Sequence, residues 1–206
     1  MANASKDILY GRLTDFQIDV ARLREHYETV IVGQLSTPYK DNEANYVGWA
    51  VTSRDGSLSD GVKRIDPKSG GTRGRKATEI CSAYLEETMK RLESRQMTPY
   101  RVRIMKLVND GAIMGWHTDA DKETWRLHIP IITNPDAFFE WKLAEGRTES
   151  VHLPADGSAW LVRVDVSHRA VNRSMEPSER VHLLMGLNEL PKLSQIGPPL
   201  VELANW

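Results

Sequence analysis

Hydrophobic and polar positions change period part-way along the chain. In "LTDFQIDVARLREHYETVIV", Phe16, Val20, Leu23, Tyr27 and Val30 recur at three- and four-residue steps, which predicts an amphipathic helix. Thr14 followed by Gln17 has the form of a capping box and places the start of that helix at Thr14. A second helix is predicted in "KATEICSAYLEETMKRLESRQM", where Cys81, Leu85, Met89 and Leu92 make one stripe with Tyr84 beside it. "YVGWAVTS" between them reads as a strand. From Tyr100 the pattern becomes short apolar runs between turn signals: "YRVRIMKLV", "WRLHIPIIT", "AFFEWKL", "ESVHLPA", "AWLVRVDVSHRAV" and "RVHLLMGL". Strands at such regular spacing predict an antiparallel sandwich or barrel, with the helices packed outside it.

The segment "RDGSLSDGVKRIDPKSGGTRGRK" is polar, rich in Gly and Ser, and ends in Arg73, Arg75 and Lys76. It reads either as a solvated loop over 53–76 or as a flap whose basic end meets an anionic part of a substrate. With no repeat and no clear linker, the expectation is one domain over 1–206. Its 1–99 part would supply helical support plus the polar loop, and 100–190 the catalytic β core.

Composition narrows the function classes. The 206 residues are 40% hydrophobic, enough for a substantial core, and the formal net charge of -1 gives no field that would draw the chain to nucleic acid or a membrane. The single cysteine, Cys81, excludes an internal disulfide framework and a cysteine-rich zinc site. The stretch "MANASKDILYGR" lacks the basic-then-apolar layout of a signal peptide, and no apolar run is long enough to span a bilayer, so a cytoplasmic location is expected.

The candidate chemistry begins in "GWHTDADKETWRLHIPI". Residues two apart in a strand share a face, so His117 and Asp119 would point the same way. The same rule along "WLVRVDVSH" puts Val162, Val164, Val166 and His168 on one face. Arg180 is then expected across a hairpin from the neighbourhood of His168. Two histidines and one carboxylate on one side of a metal suit a non-haem Fe(II) oxygenase, with open positions for a cosubstrate and O2. A buried arginine is a forked donor for a second carboxylate, which suggests a 2-oxo acid.

"RIMKLVNDGAIMGWHTDAD", "WRLHIPIITNP" and "DVSHRAVNRSMEPSERVHLLM" together resemble the aspartyl/asparaginyl β-hydroxylase-like branch of the Fe(II)/2-oxoglutarate-dependent dioxygenases, over about Tyr100 to Leu187. The resemblance implies a mainly β fold with flanking α, the double-stranded β-helix or cupin-like jelly roll with its helices outside. It implies iron ligation and catalysis by His117, Asp119 and His168, and cosubstrate binding by Arg180 with Arg126 or His128 assisting. Some relatives carry Gly where this chain has Asp119. The intact carboxylate argues against a halogenase, which needs that position vacant. In those Gly-type relatives the position of Lys106 carries a hydroxyl residue that helps hold the cosubstrate, and here it does not.

The implied activity is hydroxylation of a C–H bond in an amino acid, or in an Asp, Asn or Pro residue of a peptide, with succinate and CO2 as co-products. The implied cofactors are Fe(II), 2-oxoglutarate and O2. The expected partner is a small amino acid or peptide, without nucleic acid or membrane, and the oligomeric state is open. Two other readings stay open: a non-oxygenase jelly-roll metalloprotein using Zn or Mn, and a catalytically silent binding module. Asn172 and the tryptophans Trp116 and Trp125 flank the motifs, as a family position or turn residue and as candidate pocket walls. Asp121 lies past the same-face pair.

Overall fold

The computed structural model describes residues 8–40, 45–63, 73–108, 113–119, 125–189 and 191–202. In chain order its elements are β1 (Ile8–Gln17), α1 (Val20–His26), β2 (Thr37–Pro38), β3 (Tyr46–Ala50), β4 (Thr52–Ser53), β5 (Lys76–Ala77), α2 (Ala83–Glu93) and β6 (Pro99–Leu107). Then follow β7 (Trp125–Ile132), β8 (Ala137–Lys142), β9 (Thr148–Val151), β10 (Ser158–Arg163), β11 (His168–Asn172), β12 (Arg180–Leu187) and β13 (Ile196–Glu202). Eight strands form one sheet in the order β13-β1-β10-β7-β12-β6-β3-β2, and β11-β8-β9 form a second; every pair within them is antiparallel.

Strict alternation gives the central strands two different faces. On the outward face Val102 and Ile104 of β6, Leu127 and Ile129 of β7, and Val181, Leu183 and Met185 of β12 pack against Leu23, Tyr27 and Ile31 and against Leu85 and Leu92 of α2. Burying each such aliphatic side chain contributes about 1.5–3 kcal/mol. The inward face carries Arg103, Met105 and Leu107, paired in register with Leu184, His182 and Arg180, while Leu184 also pairs with His128. That face meets the smaller sheet. Trp160 and Val162 cluster with Phe139 and Trp141, and Met105 and Leu184 cluster with Ala170 and Met114. Two facing antiparallel sheets with helices on one outer side make a jelly roll. No helix among the described residues is long and apolar enough to cross a membrane.

Several expectations are corrected. The first helix does not start at Thr14: residues Ile8–Gln17 are a strand, and α1 begins at Val20, capped by Asp19, whose side chain accepts from the Arg22 amide at 3.1 Å. The cause is a register shift in β1 between Arg12 and Gln17, where Asp15 takes φ 53°. That bulge brings Leu13 and Phe16, three apart, into one core cluster, and three-residue spacing imitates a helix. The helical path then continues through a π-turn at Tyr27–Ile31, which buries Tyr27 and Ile31 and leaves Val30 outside. The 1–99 part therefore contributes β1, β2 and β3 to the large sheet as well as helices.

The run through "AWLVRVDVSHRAV" is not one strand. It bends at Asp165–Ser167, and β10 and β11 belong to different sheets. Nor do β11 and β12 form a hairpin: β11 pairs with β8, and β12 with β6 and β7, so residues 173–179 cross between the sheets. The second helix, capped by Ser82, keeps Leu85 and Leu92 of its expected stripe buried together with Thr88, while Met89 and Tyr84 are partly buried against the core and Cys81 precedes the cap.

Candidate metal centre

Residues 113–119 run alongside β11 as an extra, irregular strand. Met114 N donates to Ala170 O at 2.9 Å, His117 N to His168 O at 3.1 Å, His168 N to His117 O at 2.8 Å, and Asp119 N to Val164 O at 2.9 Å. This pairing, rather than a shared strand face, sets His117 opposite His168, with ring centroids 4.3 Å apart. His117, Asp119 and His168 each offer one ligand atom, all within 4.8 Å of one another.

Each histidine is oriented by a carbonyl two residues earlier: His117 Nδ1 lies 2.8 Å from Gly115 O, and His168 Nδ1 lies 2.9 Å from Val166 O. A carbonyl only accepts, so Nδ1 carries the proton and Nε2 presents its lone pair. Burial holds both imidazoles below their ordinary range, His168 down to about 4 with His117 as the next cause, so both are neutral at pH 7 and able to ligate a metal. Phe139 stacks on the His168 ring at 5.3 Å and 10° and fixes its plane.

Burial alone would raise the Asp119 carboxyl. Arg126, His168, Arg103 and His117 outweigh it and hold the group below its ordinary value, as a carboxylate. Arg126 Nη2 sits 2.6 Å from Asp119 Oδ2, while Oδ1 lies 3.8 Å from His117 Nε2. One oxygen is therefore tied back and the other faces the imidazole. Two neutral imidazole nitrogens and a carboxylate oxygen are a donor set that can hold a divalent transition metal.

Deeper between the sheets, Arg180 is fully buried and its Nη2 has no hydrogen-bond partner among the described residues. Burial pulls its pKa down to about 10, which leaves it charged at neutral pH. A buried guanidinium without a carboxylate is costly, and it marks a place for an anion. Next to it in the fold, the Nδ1 atoms of His128 and His182 are 3.3 Å apart and both Nε2 atoms lack partners. Burial, then Arg180, holds both rings neutral. One Nδ1–H must donate to the other Nδ1, so the pair offers one free Nε2–H donor and one free Nε2 acceptor.

Of the sequence-selected residues, the structure brings His117, Asp119, His168 and Arg126 together and sets Arg180 and His128 in the same interior. It sends others elsewhere. Lys106 shares the outward face of β6 with Val102 and Ile104 and pairs with Glu179, so it does not share the inward face with Arg180. Trp125 belongs to the core under the helices, and Trp116 lies at the surface beneath the Arg169 guanidinium, 4.2 Å away. Asn172 is structural: its Oδ1 accepts from Asn134 at 3.0 Å and from the Ser174 amide at 3.3 Å.

The basic end of the polar segment has local partners as well. Arg73 bonds Asn188 at 3.1 Å, Arg75 pairs with Glu93, and Lys76 bonds Asp55 O at 2.8 Å. Residues 64–72 of that segment and Asp121 lie outside the described residues. Arg103, Tyr39 and Tyr46 were not anticipated, although they line the same interior. The alternation of Arg101 and Arg103 with Val102 and Ile104 reads as an ordinary solvent face, because nothing local to a strand says that both its faces are covered.

Comparison with known proteins adds the fold. No protein-family model and no curated protein matches the chain. Among solved structures, it is similar to an oxidoreductase of the 2OG-Fe(II) oxygenase family from Burkholderia pseudomallei, with 13% identity and a TM-score of 0.58 over 89% of this chain and 86% of that one. It is similar to the non-heme alpha-ketoglutarate-dependent epimerase SnoN from nogalamycin biosynthesis, with 11% identity and a TM-score of 0.54 over 90% and 80% of the two chains. A putative oxygenase from Shewanella oneidensis gives 12% identity and a TM-score of 0.51 over 92% and 84%. These likenesses establish the jelly-roll fold.

Proposed function

We propose that this chain is an Fe(II)/2-oxoglutarate-dependent dioxygenase that hydroxylates a C–H bond of an amino acid or of an Asp, Asn or Pro residue in a peptide. Arg180 carries the reading: a fully buried, charged guanidinium with an unpartnered Nη2 lies in the same interior as a His-Asp-His donor set. A zinc or manganese hydrolase needs no such anion anchor. The two structural neighbours described as 2OG-Fe(II) and alpha-ketoglutarate-dependent proteins support the same reading, as does the motif order shared with the aspartyl/asparaginyl β-hydroxylase-like branch.

The protein's part is binding, orientation and exclusion of water. His117, Asp119 and His168 would hold the iron. When bound, iron and 2-oxoglutarate supply the O2 chemistry that couples loss of CO2 to oxidation of the substrate. Arg126 ties back Asp119 Oδ2, so the carboxylate offers one oxygen and keeps its direction. Arg180 would pair with the distal carboxylate of 2-oxoglutarate, and the free N–H of the His128–His182 pair adds a neutral donor. Leu184, Met105, Phe139 and Trp141 keep the interior dry, which strengthens each of these contacts.

The reading is tested by adding Fe(II) and then 2-oxoglutarate anaerobically to metal-free protein and recording the visible iron-to-keto-acid charge-transfer band. The expected result is a band that is absent in His117→Ala and weakened in Arg180→Ala. Tight zinc binding with no band in the wild type would replace the oxygenase reading with a metallohydrolase or a silent module.

A further inference from the structure

The dry interior holds more positive charge than the proposed cosubstrate consumes. Arg103, Arg126 and Arg180 all act on the buried Tyr46 phenol, and among the described residues Asp119 is the carboxylate that interacts electrostatically with Arg103 and Arg126. Divalent iron and dianionic 2-oxoglutarate cancel each other, so loading the site leaves three guanidiniums against one carboxylate. Arg126 is committed to Asp119 and Arg180 to the cosubstrate. Arg103 is the remainder.

Arg103 is 2% exposed, and its contacts are Nη1 to Gly61 O at 3.2 Å and to Val62 O at 3.3 Å, with the guanidinium 5.8 Å from the Tyr39 ring centroid. No carboxylate meets it among the described residues. Arg101 also anchors the 61–63 segment, at Gly61 O (2.7 Å) and Lys63 O (2.9 Å), so of that anchoring Arg103 alone supplies the bond to Val62 O, made through Nη1. Its position fits a ligand. Arg103 lies in register with Leu184, and Leu184 with His128, on the inward face that also carries Arg180, and Asp119, Arg126, Tyr39 and Tyr46 all act on its charge. The two tyrosine rings meet edge-on at 5.4 Å and make an aromatic wall beside it. An anion held by Arg103 would therefore lie beside that wall, on the inward face shared with His128 and Arg180.

We propose that Arg103 is the substrate's anion site, and that the substrate is a small carboxylic acid whose carboxylate pairs with this guanidinium while its oxidised carbon faces the metal centre. The inference rests on the Fe(II)/2-oxoglutarate reading. Charge-assisted pairing with a forked donor selects a carboxylate over the isosteric amide by about ten- to a hundredfold.

The test uses the full chain loaded anaerobically with Fe(II) and saturating 2-oxoglutarate. It is titrated with the twenty L-amino acids, their N-acetyl derivatives and simple hydroxy acids, each beside its carboxamide. Calorimetry and perturbation of the charge-transfer band are the readouts. The expected result is at least one acid bound about tenfold or more tightly than its amide. That preference is lost in Arg103→Gln and kept in part in Arg103→Lys, with the 2-oxoglutarate titration retained in both. Three results overturn the proposal: no acid preferred to its amide in the wild type, a preference that survives Arg103→Gln, or loss of the 2-oxoglutarate band in Arg103→Gln, which would make Arg103 a cosubstrate or structural residue. Absence of the band from the wild type is a separate failure, of the oxygenase reading itself.

Discussion

The two faces of β6, β7 and β12 are built from alternate residues of the same strands and follow opposite rules. Outward, Val102, Ile104, Leu127, Ile129, Val181, Leu183 and Met185 are apolar and fully covered by the helices. Inward, Arg103, His128, Arg180 and His182 are equally buried, yet Arg180, His128 and His182 carry orphaned nitrogens and both arginines carry charge. The outer face is what a core looks like when stability alone selects it. The inner face gives up stability to keep polar groups desolvated and incompletely hydrogen-bonded between the sheets, which is what the proposed anion and metal sites would need.

Substitutions on the two faces should therefore diverge. Leu183→Ala opens a cavity in the outer core and is expected to cost about 2–5 kcal/mol in urea unfolding, with the metal site intact in the folded fraction. Arg180→Leu should do the reverse. Removing an unpaired buried charge leaves the metal-free protein as stable as the wild type or more so, by up to about 4 kcal/mol, while 2-oxoglutarate binding collapses. If Arg180→Leu destabilises as Leu183→Ala does, the guanidinium has a structural partner and the contrast between the faces disappears.

A pH titration sharpens the same contrast. His128 and His182 stay neutral in the folded chain well below the ordinary 6.5, whereas in the unfolded chain they protonate near it. As pH falls below that value the unfolded state binds more protons, so stability present above it is lost on acidification. Each such group adds a slope of about 1.4 kcal/mol per pH unit. Comparing wild type with His182→Gln between pH 6 and 5 should show the slope reduced by about that amount, and equal slopes would count against a neutral buried pair. The smallest effect is expected at Lys106, a partly exposed pair with Glu179 on the outward face. Lys106→Met should change stability by about 1 kcal/mol or less and leave 2-oxoglutarate binding untouched.

Much of this was legible in the sequence, and the misreadings have particular causes. The strands after Tyr100 and α2 follow from simple periodicity. β1 was hidden by its bulge at Asp15, which spaces Leu13 and Phe16 as a helix would. His117, Asp119 and His168 stood out by residue type and order, but the geometry that gathers them is not a common strand face. It is an irregular segment laid antiparallel beside β11, after the chain has bent at Asp165–Ser167 into the second sheet. Arg103 and Tyr46 gave no signal, because inward and outward are properties of the assembled sheets and not of the alternation itself.

The central claim is that Arg180 waits for the distal carboxylate of a 2-oxo diacid. The most direct measurement is anaerobic calorimetry of the Fe(II)-loaded protein with 2-oxoglutarate and with 2-oxobutyrate, which keeps the keto acid and lacks the second carboxylate. 2-Oxoglutarate is expected to bind the wild type about a hundredfold more tightly than 2-oxobutyrate does, and the difference is expected to vanish in Arg180→Leu. Equal affinities for the two acids in the wild type would contradict the central claim.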